Sequence, residues 1–293
     1  MKTNGYRWWY IDALSDDRQH GFTIIGFVGS VFSPFYRLAR QSGDVDPVQH
    51  CAINVALYGK IRRWAMTEYA ARHVYREENQ FSLGQSSMRW LDGSLVISID
   101  ETCAPLPRRL RGTVIVKPSQ LYDAPIALDA KNRHHWSAVA LNANVEVSFE
   151  QPSLRWSGQA YHDMNWGDEP LEAAFRSWVW QRCGQSVFYD VLRRDGSQFS
   201  FGRNFTEGVA GESLVPPRHA LRKSFWGMSR SVMSEVHPQL LARFEDTPFY
   251  TRNHVRLGAN GETCEAMHES LSLDRFVSPI VQKMLPYRMR RVG

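Results

Sequence analysis

Val145, Val147 and Phe149 alternate with Glu146 and Ser148, and this period of two, repeated along the chain, restricts the possible folds more than any other feature. GFTIIGFVGSVF (21–32), HCAINVALYG (50–59), SLVISIDETC (94–103), GTVIVKP (112–118), NANVEVSFE (142–150), QSVFYDVLRRDGSQFSFGR (185–203) and YTRNHVRLG (250–258) all read as strands bounded by turn residues. RRDGS at 193–197 predicts a hairpin, and Asp92-Gly93 predicts a second. Helical periodicity is scarce. The segment 218–244 has the composition for a broken helix, but Gly227 and Pro238 argue against a long one. Closely spaced strands without a βαβ rhythm predict an all-β protein of antiparallel barrels or sandwiches. Its 293 residues accommodate two such domains in succession. QPSLRWSG, a polar break at Pro152 to Gly158, suggests a boundary between residues 1–155 and 156–293, with a site lined by residues near that junction.

Composition removes several classes. Apolar residues at 43% and charged residues at 22% exclude intrinsic disorder. No apolar run reaches the length that spans a bilayer, and MKTNGYRWWY has no apolar core of the kind a secretory signal carries. Cys51, Cys103, Cys183 and Cys264 are widely separated and form no CxxC pair, so they read as free thiols in a reducing compartment. A net charge of +5 is too small to argue for nucleic acid, and the aromatic residues sit in apolar rather than cationic strings. Basic residues gather in PRRLRG (107–112) and in KMLPYRMRRVG at the C-terminus. A solvated end is the plain reading of that tail; a foot on a membrane surface is the functional one. GxGxxG before a helix, GxxxxGK[ST], HExxH and GxSxG are all missing, so the expected mechanism needs no cofactor.

Two clusters carry candidate chemistry: RHHWS (133–137) and YHDMNWG (161–167). In extended chain, His134 and Trp136 share one face and Tyr161 and Asp163 share another, with His135 and His162 turned away. If the two faces meet, they enclose an imidazole, an indole, a phenol and a carboxyl, with Asn165 and Trp166 at the rim. A strand histidine is ordinarily just a hydrogen-bonded residue, and Tyr with Trp is ordinary core. Adjacent His134 and His135 diverge, so no metal site is expected. Ten tryptophans exceed what a core of this size commonly uses, and Trp178 and Trp180 in FRSWVWQRC share a face as candidate pocket lining. Asp12, Asp168, Glu169 and Glu172 read as caps, turn residues or solvated charges. Asp190 lines the cavity or pairs with an arginine, and Glu269, Asp274 and Arg275 resemble an ion-paired strand end.

The chain resembles the carotenoid 1,2-hydratase (hydroxyneurosporene synthase) family. The likeness lies in GYRWWYIDALSDD, GFTIIGFVGSVFSPFY, NVALYG, the HHW segment, VEVSFEQPSLRWSGQAYHDMNWGDEPLEAAFRSWVWQR and ESLSLDRFVSPIVQKMLPYRMRR. The resemblance implies two lipocalin-like domains and the addition of water to the terminal 1,2 double bond of acyclic carotenoids such as neurosporene and lycopene. It also implies that His134, Trp136, Tyr161 and Asp163 are essential, with Asp163 as proton donor.

An isolated alkene offers no oxygen to polarise, so hydration must begin with protonation to a tertiary carbocation. The donor must be a neutral acid, and burial among apolar groups keeps a carboxyl neutral. Trp136, Tyr161 and Trp166 are expected to supply that environment, and His134 to hold the attacking water. Two other readings compete: a cyclase or isomerase of the same architecture acting on an isoprenoid or polyketide, and a lipid carrier without chemistry. A C40 polyene resides in the bilayer, so the expected location is cytoplasmic, peripherally associated with the inner or photosynthetic membrane. The expected partners are therefore a long apolar carotenoid, water and a membrane surface.

Overall fold

The computed structural model describes residues 1–206 and 209–293. In chain order its strands are β1 (Tyr6–Ser15), β2 (His20–Val28), β3 (Cys51–Gly59), β4 (Arg63–Tyr69), β5 (Val74–Arg76), β6 (Gln80–Leu83), β7 (Ser86–Leu91), β8 (Ser94–Thr102), β9 (Arg109–Pro118), β10 (Ile126–Ala127), β11 (His134–Gln151) and β12 (Leu154–Gly167). There follow β13 (Phe175–Cys183), β14 (Ser186–Arg193), β15 (Gln198–Thr206), β16 (Val209–Ser213), β17 (Arg218–Leu221), β18 (Arg230–Met233), β19 (Gln239–Asp246), β20 (Tyr250–Ala259), β21 (Glu262–Ser272) and β22 (Arg290–Val292). The all-β class expected from the alternation is the class observed.

The chain divides into two compact units: residues 1–127, 133–170 and 283–293, and residues 128–132 and 171–282. The break expected at Pro152 to Gly158 is not the division. Pro152 lies in the turn between β11 and β12, the two central strands of one sheet, and Gly158 lies within β12 between Ser15 and Val145, so the segment is part of a hairpin rather than a linker. The units also exchange segments, which a single boundary cannot describe.

In the first unit the strands run β22–β4–β3–β2–β1–β12–β11–β9–β8–β7–β6–β5, with β10 beside β11. Every pair is antiparallel except β22 with β4. The sheet curls until its two arms share one core, in which Ile24, Ile53 and Val55 join Phe81, Ile97 and Val114. Gly26 marks the close approach, since a Cβ there would lie 2.7 Å from Met88 Sδ. Leu141, Ala143, Val145, Val147 and Phe149 are buried and the intervening residues exposed, as a half-buried strand requires. At the β7–β8 turn Asp92 and Gly93 have φ of 47° and 73°, the pair of positive values a type I′ hairpin needs.

In the second unit the order is β16–β15–β14–β13–β21–β20–β19, with β17 and β18 as a separate hairpin. RRDGS forms the β14–β15 turn, with Gly196 at φ 86°. Gln181 fastens the β17–β18 hairpin to β13, donating to the Met233 carbonyl at 2.6 Å and accepting from the Met233 amide at 2.9 Å. The segment 218–244 thus forms strands and not a helix, as Gly227 and Pro238 indicate.

The expectation of four free thiols is corrected. Cys183 and Cys264 form a disulfide with their Cα atoms 5.9 Å apart, although 81 residues separate them in sequence. Antiparallel pairing of β13 with β21 creates this proximity, which sequence spacing does not reveal. Cys51 and Cys103 are free and buried, and burial pushes the Cys51 thiol up to about 12. The reducing-compartment expectation rested on four free thiols and loses that support.

The basic tail is built into the sheet. Met289 is buried, Arg288 lies over the Trp64 ring at 4.5 Å, and Arg291 pairs with buried Glu68 at 3.1 Å. Among the described residues no helix is long and apolar enough to cross a membrane.

Candidate active site

The aliphatic core covers one face of the β1–β12–β11 sheet, and the candidate site occupies the other. Alternation sends Ile11 and Ala13 to the core and Tyr6, Trp8, Tyr10 and Asp12 to the opposite side. Antiparallel pairing then sets Tyr6 opposite Gly167, Trp8 opposite Asn165, Tyr10 opposite Asp163, and Asp12 opposite Tyr161. On the other side of β12, Trp136 stands opposite Asn165 and Ala138 opposite Asp163. The two expected faces are therefore one face, and it is buried: Tyr161 and Trp136 are 0% exposed and Asp163 is 3% exposed.

Asp163 is the hub. Trp136 Nε1–H donates to Asp163 Oδ2 at 2.8 Å, and the Tyr161 hydroxyl donates to the same oxygen at 2.8 Å. The Tyr161 bond runs between residues i and i+2, which a strand places side by side on one face. Asn165 joins them there and is buried.

Trp166 does not. It points to the opposite face, where its ring stacks on His135 at 5.0 Å and Arg7 lies over it at 5.8 Å. The period of two makes this unavoidable, because Trp166 is an odd number of residues from Asp163. The apolar surroundings expected from Trp166 come instead from Trp8 and Tyr10 of β1. His162 also faces away, in a separate cleft of about 310 Å³ that includes Arg7, Trp9 and Trp90. Burial pushes His162 down to about 4, so its ring is neutral at neutral pH, and Nδ1–H donates to the Tyr10 carbonyl at 3.0 Å.

His134 shares the face of Asp163 but stands farther along it. Its register partner is Gly167, four residues beyond Asp163, so at about 3.3 Å per residue their rows lie about 13 Å apart. Its Nδ1 pairs with the Tyr6 hydroxyl at 2.9 Å and its Nε2 with Glu169 Oε1 at 3.3 Å. Glu169, read from sequence as a turn or solvated charge, therefore fixes the imidazole and also binds Arg133 at 2.5 Å. The water-holding role expected of His134 finds no support in this spacing; the residue secures the end of the site.

Gly167 is what lets that end close. A Cβ there would lie 2.6 Å from Tyr6 Cε1 and 2.7 Å from His134 Nδ1. Gly167→Ala is expected to destabilise the protein by about 1–3 kcal/mol through overpacking, read as a lowered thermal midpoint. An unchanged midpoint would mean that the Tyr6–His134 pair moves aside freely.

Trp178 and Trp180 belong to the second unit. Both are buried on one face of β13, and the Trp178 ring meets Phe175 at 6.0 Å and Tyr189 at 6.3 Å. Asp190 pairs with Arg218, Asp274 with Arg176 and Arg194, and Glu269 with Arg252, which matches the ion-paired readings of these acids. Among the described residues, no group of three or more His, Cys, Asp or Glu is placed to hold a metal ion.

The family described as Carotenoid hydratase CrtC matches residues 24–293. The chain belongs to that family. It is 46% identical to the acyclic carotenoid 1,2-hydratase of Thiocapsa roseopersicina, over 99% of this chain and 74% of that protein. It is 42% identical to the acyclic carotenoid 1,2-hydratase of Rubrivivax gelatinosus, over 98% of this chain and 73% of the relative. Among solved structures, a putative AttH from Nitrosomonas europaea superposes with a TM-score of 0.65 at 15% identity, covering 91% of this chain and 92% of the other. That likeness concerns the fold alone, and it agrees with the lipocalin-like architecture. As a member of the carotenoid hydratase family the chain is an enzyme, and on its buried polar face Trp136 and Tyr161 both bond to Asp163.

β1 is the part of the site that sequence reasoning missed. Its signal was present: YID at 10–12 has the spacing of YHD at 161–163, and GYRWWY alternates aromatics onto one face.

Proposed function

We propose that this enzyme adds water across the terminal C1=C2 bond of an acyclic carotenoid such as neurosporene or lycopene, giving a tertiary 1-hydroxy carotenoid. One observation carries the mechanism: Trp136 and Tyr161 both donate to Oδ2 of buried Asp163. Burial on this aromatic face disfavours the carboxylate, and because both bonds fall on Oδ2 the neutral acid that the reaction requires carries its proton on Oδ1. Proton transfer to C2 leaves a cation at the dimethyl-substituted C1. As Asp163 becomes a carboxylate, the same two bonds become charge-assisted and strengthen, which favours the transition state over the ground state. The ring faces of Trp136, Tyr161 and Tyr10 add about 0.5–2 kcal/mol each where they lie against the developing cation, about tenfold in rate per ring. That helps the reaction but does not replace the acid.

The substrate resides in a bilayer, so the enzyme draws one end of it from a membrane surface.

Incubation with lycopene or neurosporene in detergent, followed by chromatography and mass analysis, tests the reading. The expected product is heavier than the substrate by one water. A cyclase or isomerase would return an isomer of unchanged mass, and a carrier would return the substrate; either result overturns hydration.

A further inference from the structure

We infer that Asp12 is a second catalytic carboxylate, the group that takes the proton from the attacking water, and that YID and YHD form an acid–base pair across two hydrogen-bonded strands. This rests on the hydration reading above. On each strand a tyrosine hydroxyl donates to the aspartate two residues on: Tyr10 to Asp12 Oδ2 at 2.9 Å, and Tyr161 to Asp163 Oδ2 at 2.8 Å. The antiparallel register puts Tyr10 across from Asp163 and Asp12 across from Tyr161, so the four side chains form a two-by-two checkerboard on one face. Their rings meet edge to face at 6.2 Å.

In this checkerboard Asp12 and Asp163 are diagonal neighbours, a relation that separates Cα atoms by about 7–8 Å. Two carboxyls rooted at diagonal positions of one face can reach a shared substrate from two sides, the division of labour that paired acids use in inverting glycosidases. Asp12 is 0% exposed and lies on the face opposite the aliphatic core, so barrel packing does not account for it. Burying a carboxyl is expensive unless its surroundings are built for it. Hydration needs one proton donor and one proton acceptor, and two aspartates on one face can divide those roles.

The electron and proton flow closes. The alkene π pair takes the proton from Asp163 Oδ1, leaving Asp163 as carboxylate and C1 as a cation. A water oxygen forms the C1–O bond, and its proton passes to the Asp12 carboxylate. Asp12 then carries the proton that Asp163 has lost, and exchange with solvent returns both to their starting states.

Two isotope measurements separate the C–H step from the C–O step. Oxygen exchange between the 1-hydroxy product and oxygen-18 water requires, by reversibility, protonation of the hydroxyl by Asp12 and no change at the C–H bond. Deuterium uptake from solvent into recovered alkene requires Asp163. Asp12→Asn is expected to reduce hydration and oxygen exchange by at least about 100-fold while deuterium uptake persists; Asp163→Asn is expected to reduce hydration and deuterium uptake while oxygen exchange persists. Hydration by Asp12→Asn within threefold of the parent overturns the proposal, as does parallel loss of both exchanges, which would make Asp12 a structural support. Should Asp12→Asn not fold, Tyr10→Phe removes only the hydroxyl that orients Asp12. It is expected to lower oxygen exchange about tenfold with deuterium uptake unchanged, and equal loss of both overturns the role. Failure of the hydration reading itself would appear in the parent enzyme, as absence of the hydrated product.

Discussion

Asp163→Asn is expected to lower carotenoid hydration by at least about 1,000-fold with the fold intact. Asparagine matches the shape of the acid, and its amide oxygen can occupy the Oδ2 position and accept from both Trp136 and Tyr161. The network survives; the transferable proton does not. In the proposed reaction that proton starts the chemistry, because an unactivated alkene reacts with water only after protonation. The measurement is turnover of detergent-dispersed substrate alongside a thermal melt of the same preparation. A melt within about 2 °C of the parent, a shift worth about 0.5–1 kcal/mol, together with near-parent turnover would remove Asp163 from the chemistry. His134→Ala makes a useful contrast. It breaks the bonds to Tyr6 and Glu169 at the end of the site and so acts mainly on stability.

How much of this was visible in the residues follows from what a strand's period does and does not encode. A period of two states which residues share a face. That sufficed to group His134 with Trp136, and Tyr161 with Asp163, and to turn His135 and His162 away. It should also have turned Trp166 away, because Trp166 and Asp163 differ by an odd number. Period says nothing of which strands are neighbours. Tyr10 and Asp12 therefore went unread as partners of a strand 150 residues later, although YID repeats the spacing of YHD. It says nothing of position along a strand either, so His134 was given a task next to Asp163 that the register places about 13 Å away. Cys183 and Cys264 illustrate the same gap: their union depends on β13 and β21 being neighbours, and no local pattern reports that. Turn chemistry is local, and the Asp92-Gly93 and RRDGS hairpins were accordingly legible from a few residues each.

In the second unit, Arg252→Ala is expected to destabilise by about 3–5 kcal/mol, the largest stability effect of any single substitution considered. Arg252 is 1% exposed; its Nε and Nη2 hold Glu269 Oε1 at 2.8 and 2.7 Å, and its Nη1 holds Glu245 Oε1 at 2.8 Å. Register extends this fork into a row across the sheet: Phe201, Tyr189, Trp180, Glu269, Arg252 and Glu245 stand side by side on six successive strands. Truncation leaves two carboxylates facing each other without the cation between them, and removing one partner of a buried ion pair costs more than the pair itself contributes. At about 4 °C per kcal/mol for a unit of this size, the melting transition should fall by roughly 12–20 °C. The triple variant Arg252→Met, Glu245→Gln, Glu269→Gln removes all three charges and should recover most of that loss. A drop below about 2 °C for Arg252→Ala, or no recovery in the triple variant, would show that apolar packing holds this row and the fork does not. Because Trp180 is one of the six, the same substitution also tests whether the aromatic face of β13 depends on charges two strands away.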